Sequence, residues 1–375
     1  MLENFYSSFK NYWREIDKTI FSSFFILFVL GVFFSFASTS TLAGERLNKD
    51  YYFFFSKHLI FAICSIFLMI SISWLQTRFL KKLLIPIFLV LLATLFLVLF
   101  FGVEVKGSRR WLDLFFFRFQ PIEFLKPFFI VIIAQILSRE NLSPTNSSYF
   151  LSFLCLAMPC AILLNQPDLG QTILLILSWS AIIFVSGIKL VYIFFLFGIA
   201  LFFVVSLLFI FPSKFLYVFK RIEVFFDPSK GERFQSTKAI EAIKEGGLTG
   251  QGMGEGTLKD NVPEAHTDYV IAVIAEEFGS VISIFLISIF LYIVFKVIKF
   301  TLQNDDKFIK ISLCGLSSLL IFQTFIHIGV NTSLLPTTGM TLPFLSYGGS
   351  SMFGSAMLAG MIINLTKKKI NNENF

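Results

Sequence analysis

Charged side chains are scarce in this chain: 15% of its 375 residues are Asp, Glu, Lys or Arg, against about 25% in an ordinary soluble domain. Histidine is rarer still, with only His58, His266 and His327. A structural zinc centre needs three or four ligands close together, and three scattered histidines exclude one. The four cysteines (Cys64, Cys155, Cys160, Cys314) lie inside apolar runs without zinc-like spacing. They read as small hydrophobes and say nothing of redox compartment. A P-loop is also missing. Gly250, Gly252, Gly254 and Gly256 alternate, but no Gly-Lys-Ser/Thr follows them and no strand precedes them. A hinge or a close backbone approach is the safer reading, with phosphate cradling by backbone amides weakly signalled.

What the chain has in abundance is apolar length. Hydrophobic residues make up 56% of it, 52 of them Phe, and the mean hydropathy is +0.78. Continuous apolar runs fall at 19–41, 53–75, 83–103, 121–138, 149–165, 170–187, 190–211, 269–295, 308–331 and 343–365. A bilayer core needs about 20 such residues per helix. The runs do not alternate, which disfavours a β-barrel. The fold class expected is therefore an all-α polytopic membrane protein with ten transmembrane helices. The first run lacks a small-residue cleavage site and reads as a signal anchor.

Net charge is +7, but the basic residues sit in short loops, so they carry topology rather than nucleic-acid binding. The segment 1–18, Gln76–Lys82, Arg139, Lys189, Lys296–Lys310 and Lys367–Lys369 share one side, expected to be cytoplasmic. Both termini then lie inside. The division expected is a cytoplasmic segment 1–18, a membrane domain 19–366 and a cytoplasmic tail 367–375, with one large extracytoplasmic loop, 212–268, between spans seven and eight. Within that loop, Gln235–Glu245 has apolar residues at helical spacing and should lie on the membrane surface.

Chemistry-bearing residues gather around this loop. Lys259, Glu264, His266 and Asp268 run directly into the eighth apolar stretch, which would put a polar cluster at the bilayer boundary. Thr267–Asp268 would ordinarily be a helix cap; the sharper reading is a catalytic carboxylate. Glu276 and Glu277 lie deeper, where charge is paired or functional, with Lys126 as one possible partner. Arg109, Arg110 and Trp111, in GSRRW, break the positive-inside pattern. They read either as an interfacial belt or as a clamp for an anionic headgroup. Glu123 and Lys126 follow at i, i+3, either as a self-satisfied pair or as groups facing a substrate path. Asp168 could cap the sixth span. The stretch Leu335–Ser351, which contains Ser346 and Ser350, is rich in Pro, Gly and hydroxyls. Such backbone survives near a bilayer only under protein or around a wet cavity.

Six stretches occur together in order: GSRRW, FQPIEFLKP, NQPDLGQ, FFDPSKGERFQ, the GG-to-PEAHTDY segment and LPTTGMTLPFLSYGGSS. With them the chain resembles the SEDS family (shape, elongation, division and sporulation; FtsW and RodA) from about the second span onward, and its FtsW branch more than RodA. Ile122 stands where the family usually has Ser, and Tyr269 where Phe is commoner. The resemblance implies a peptidoglycan glycosyltransferase that polymerises lipid II at the outer face of the inner membrane during septal wall synthesis. Asp268 would be the essential acid, acting as base or holding a divalent cation (Mg or Mn), with no tightly bound cofactor. Arg109, Arg110, Trp111, Lys259, Glu264, His266, Glu123, Lys126, Ser346 and Ser350 would serve the headgroup. The implied partners are a class B penicillin-binding protein (an FtsI-type transpeptidase) and other division proteins. A RodA-type elongation polymerase, a lipid II flippase and a non-catalytic division scaffold are the competing readings.

Overall fold

A computed structural model describes residues 10–37, 53–105, 108–114, 118–139, 144–189, 191–192, 198, 216–227, 234–262 and 264–368. In order along the chain the elements are α1 (Lys18–Ala37), α2 (Phe53–Trp74), α3 (Thr77–Phe101), β1 (Val103–Val105), β2 (Ser108–Asp113), β3 (Arg118–Phe119), α4 (Pro121–Leu137), α5 (Asn146–Asn165), α6 (Leu169–Val185), α7 (Leu216–Phe226), α8 (Phe234–Gly246), α9 (Leu258–Asn261), α10 (Val270–Leu302), α11 (Lys307–Asn331) and α12 (Gly349–Leu365). Six of these helices, α1, α2, α3, α5, α10 and α11, are long and apolar enough to cross a membrane. The protein is thus a mostly helical, multi-pass membrane protein. The seventh expected span, 190–211, falls outside the described residues except for 191–192 and 198, as do the terminal segments 1–9 and 369–375.

The bundle is organised around α4. Every residue of α4 except Phe124 and Gln135 is buried, as expected of a helix that is apolar all round. Helix α2 has two faces. Phe54, Lys57 and Phe61 look inward on a cleft, while Ile60, Ile63 and Phe67 are exposed. That outward apolar face is suited to hydrocarbon, so α2 separates the cleft from the surroundings. Helix α12 lies along α2, and Asn364 donates to the carbonyls of Ile72, Ser73 and Leu75. Phe344, in the turn before α12, is buried against Phe24 and Phe28 of α1, with ring centroids 5.5 and 5.0 Å away.

The eighth apolar run differs from its expected form. Gly279 has φ 84° and ψ 172°, which breaks α10 into 270–278 and 280–302. Residues 270–277 are buried on all sides, whereas 280–302 exposes Val281, Ile284, Phe285, Leu291 and Phe295. Only the second piece has the outward apolar surface of a span. The polar cluster therefore joins an inner half-helix, not the hydrocarbon-crossing segment itself. The alternating glycines repair the break. Gln251 and Gly252 donate their N–H groups to the carbonyls of Glu276 and Glu277, and Ser280 donates to Gly247 O at 3.0 Å. Backbone groups released by a broken helix must find such partners at membrane depth.

Helix α8 also departs from the surface role expected of it. Ser236, Ala239, Ala242 and Gly246 are its buried face, and they pack on the inner half of α10, where a Cβ on Gly246 would overlap the carbonyl oxygen of Ala275. Its small residues meet protein rather than lipid.

Candidate active site

A cleft of about 1050 Å³ opens at the end of the bundle where α2, α4, α6, α10 and α12 begin and α3, α5 and α11 end. Its acids include Asp268, Glu264, Glu123 and Asp113, and its cations among the described residues are Lys57, Arg110, Arg118 and Arg221. Lys57, Arg118 and Arg221 are cations that sequence reasoning did not single out. Lys57 begins a span on the side poor in basic residues, and Arg118 closes the basic hairpin; those were the available signals. Arg221 lies on α7, whose place beside the cleft had no local marker.

Asp268 reaches the cleft because residues 264–269 form tight turns ahead of the inner half-helix, with Asp268 N donating to Glu264 O at 2.9 Å. The N-cap of α10 is Tyr269, so neither Thr267 nor Asp268 is the cap. The Thr267 hydroxyl turns back to Glu264 O at 3.2 Å. Burial pushes the Tyr269 phenol up to about 12; the charge of Asp268 adds to the rise and that of Arg221 opposes it. Acid and guanidinium thus both act on the same hydroxyl, which stays protonated.

The two arginines of GSRRW separate at an irregularity in the β1–β2 pairing, where Glu104 is opposite Arg109 and Val103 opposite Trp111, leaving Arg110 between them. Glu104 of β1 faces Arg109 of β2, and Arg109 is spent on an exposed ion pair with Glu104 at 3.4 Å. Arg110 and Trp111 line the cleft. The Arg110 guanidinium donates to Gln166 O at 3.3 Å and to Pro167 O, and meets Asp168 Oδ2 at 3.6 Å. Asp168 is the N-cap of α6 and accepts from Gln171 N, as the sequence suggested. A planar guanidinium suits this three-way clamp, whereas an ammonium is a point charge. Arg110→Lys is expected to lower stability by about 1–3 kcal/mol through lost charged hydrogen bonds. Thermal unfolding in detergent measures it, and an unchanged midpoint would show the clamp to be idle.

Glu123 and Lys126 pair at 2.9 Å. Gln171 Nε2 donates to Glu123 Oε1 at 2.6 Å, and Lys126 Nζ donates to Gln323 Oε1 at 3.2 Å. Glu123 still touches the cleft, while Lys126 is buried. Of the expected partners for the deep acids, Lys126 is thus taken. Glu276 instead accepts from Thr257 N at 2.8 Å and Leu258 N at 3.1 Å, holding the N-terminus of α9 as a carboxylate does well. Glu123, Lys126 and Glu276 are therefore each held by fixed partners.

The remaining expected site residues have mixed placements. Lys259 lies on α9, with its side chain outside the described part. Glu264 lines the cleft and accepts from Gln235 Nε2 at 2.9 Å. Ser350 also lines it, but its hydroxyl donates to Arg118 O at 2.9 Å and accepts from Gln120 N at 3.0 Å. Ser346 is buried, accepting from Leu342 N and donating to Thr267 O. Both serines hold backbone. His266 packs between Phe54 and Tyr347, at 5.5 and 5.6 Å.

Burial lowers the His266 imidazole from 6.5 to about 4. As pH falls, the unfolded chain takes up that proton first, so stability drops between about pH 6.5 and 4. Unfolding midpoints at about pH 5 and about pH 7.5 test this. The difference should shrink in His266→Gln, and an unchanged difference would contradict the assignment.

Among the described residues no three His, Cys, Asp or Glu side chains cluster to hold a metal. The bundle and the cleft define a class: polytopic membrane proteins with a charged chamber at one end. A match to the Cell cycle protein family (FtsW, RodA, SpoVE) covers residues 17–371. A probable peptidoglycan glycosyltransferase FtsW of Caulobacter vibrioides is 35% identical over 359 residues, covering 96% of this chain and 91% of that one. Its counterpart in Haemophilus influenzae is 31% identical over 379 residues, covering 95% and 94%. Among solved structures, a chain of a peptidoglycan synthase complex that coordinates polymerization and crosslinking superposes with TM-score 0.75 at 23% identity, covering 94% of this chain and 97% of that one. Thermus thermophilus RodA gives 0.69 at 23%, with the same coverage. The chain belongs to the FtsW/RodA/SpoVE family of cell cycle proteins.

Proposed function

We infer that the protein is a peptidoglycan glycosyltransferase of the FtsW type, polymerising lipid II into glycan strands for septal wall synthesis. The observation that carries this reading is the Asp268 carboxyl in a cleft that also holds Lys57, Arg110, Arg118 and Arg221. The relatives named as FtsW glycosyltransferases support it.

The chemistry follows from the charges. Asp268 takes the proton from an acceptor sugar hydroxyl, and the freed oxygen pair forms a bond to the anomeric carbon of the donor. The bond from that carbon to the diphosphate oxygen breaks, and the diphosphate leaves with the electron pair. A base at this position contributes about 10²–10⁴ in rate. The cations counter the charge that develops on the leaving group, where a water-poor site makes them effective. A Mg or Mn ion would add neutralising charge. In the alternative where Asp268 holds that ion instead of acting as base, substrate phosphates would complete the binding, since Mg commonly binds through one or two carboxylates plus phosphate oxygens.

Topology supports the outer-face placement. Arg78, Lys81, Lys82, Lys296, Lys299, Lys307, Lys310 and Lys367 lie at the end of the bundle opposite the cleft. Basic loops favour the cytoplasm, and this supports a reading with the cleft and the loop 212–268 outside, both termini inside and ten spans in all. A class B penicillin-binding protein fits as partner, because polymer made here needs crosslinking and a structural neighbour comes from a complex that does both. Other division proteins would bring the pair to the septum. The direct test supplies the purified full-length protein and its transpeptidase with lipid II in proteoliposomes. Glycan strands resolved on a gel support the reading. Protein-dependent flipping without polymer would replace it with the transporter.

A further inference from the structure

The polar residues of α11 that the chemistry above leaves unused form one stripe. Gln323, His327 and Asn331 recur every four residues, the spacing that stacks side chains on one helix face. All three are buried, to 5%, 1% and 0% exposure. Each holds a carbonyl of the segments that meet at the acid. Gln323 Nε2 donates to Thr341 O at 3.0 Å, and His327 Nδ1 bonds Met340 O at 2.7 Å. Asn331 Nδ2 donates to Asp268 O at 3.0 Å and to His327 O at 2.8 Å. The lower end is anchored, since Gln323 Oε1 accepts from Lys126 Nζ at 3.2 Å. From the other side, Tyr347 N donates to His266 O at 2.9 Å and Ser346 Oγ to Thr267 O at 2.6 Å. Three consecutive carbonyls, at 266, 267 and 268, are therefore each gripped from outside their own loop.

The same stripe places the facing wall. Gly339 adjoins the two carbonyls held by Gln323 and His327, and it lies close enough to Asp268 that a Cβ there would be 3.4 Å from Oδ2. Asn331 Oδ1 and His327 Nε2 are buried with no hydrogen-bond partner among the described residues. Orphaned groups of this kind are costly, and an apolar residue filling the same space would avoid the cost. Polar side chains kept at membrane depth despite such a cost are functional by default.

We propose that Gln323, His327 and Asn331 are positioning residues: a rail on α11, completed by Ser346, that fixes the Asp268 carboxyl against the 339–341 wall of the cleft. The proposal rests on Asp268 being the base. A displacement of about 1 Å at a reacting group can cost about 100-fold in rate, so the rail acts on turnover more than on binding.

The test uses the full-length protein with its transpeptidase in proteoliposomes. Asn331→Leu and Ser346→Ala should each lower kcat at least about tenfold, with KM for lipid II within about twofold and Ser346→Thr largely restoring kcat. Labelling by a water-soluble carbodiimide and glycine ethyl ester, read by peptide mass spectrometry, should change at Asp268 and not at Asp113. Unchanged kcat and unchanged Asp268 labelling in both variants would overturn the rail. If Asn331→Leu does not fold, the Ser346 pair decides by the same criteria. Polymerisation surviving in Asp268→Ala would remove the base assignment but not the positioning, which the labelling reads without activity.

Discussion

Asp268→Ala and Asp268→Asn are expected to abolish strand formation, by at least about 100-fold, in protein that folds normally. Asn keeps the volume but removes the negative charge and with it the ability to accept a proton, so it separates the carboxylate's role from packing. The hydrogen bonds that fix this residue's backbone, from Asp268 N to Glu264 O and from Asn331 Nδ2 to Asp268 O, do not use the carboxyl. The helix cap is Tyr269. Unfolding midpoints measured beside the activity show that the variant folds, against the loss of about 1 kcal/mol that removal of a typical N-cap would bring. Asp268→Glu carries the carboxyl one methylene further and should also fall about 100-fold, since misplacement by an ångström is enough. Polymer made by Asp268→Asn at the unmutated rate would refute a proton-accepting role.

The largest effect on stability is expected at the break in α10. Gly279→Ala and Gly250→Ala each add a Cβ where φ is positive, at 84° and 82°. A left-handed conformation costs a non-glycine residue about 1–2 kcal/mol. The added carbon also meets backbone that cannot yield: Leu248 O at Gly279 and Glu277 O at Gly250. Overpacking adds about 1–3 kcal/mol, so each substitution should cost about 2–5 kcal/mol. Gly254→Ala is the control, because it has a positive φ but open space around its Cβ. Thermal unfolding in detergent should rank Gly279 and Gly250 well above Gly254. Equal losses at all three would mean that the close splice between loop and half-helix does not exist.

Much of the bundle is legible in the sequence because hydrocarbon imposes one strong demand, long runs with backbone bonds satisfied inside them. Helices α1, α2, α5 and α11 match such runs to within a few residues. The break at Gly279 was not read from the sequence, because the apolar run resumes directly after it; Glu276, Glu277 and Gly279 together were the available signal. A half-helix buried in protein and a span facing lipid share that composition. What distinguishes them is the glycine loop that supplies their missing hydrogen bonds, and its target is a tertiary matter. Asp268 and Arg110 could be picked out as site residues from their motifs. Arg109 could not be separated from Arg110 because the irregular β1–β2 register that divides them is a pairing property, and Glu276 could not be matched to α9 because its partners include backbone amides. The stripe Gln323, His327, Asn331 carried a readable signal, a four-residue polar period inside an apolar run.

The account stands on a substrate seated in the cleft beside Asp268 while its anchor stays in the bilayer. Photo-crosslinking from benzoylphenylalanine at position 337, where Thr337 lines the cleft, tests that seating in membranes supplied with radiolabelled lipid II. The same probe at position 248, where Leu248 is 72% exposed at the same end of the molecule, serves as reference. The account predicts a labelled adduct from 337 and background from 248. An adduct from 248 with none from 337 would place the substrate elsewhere.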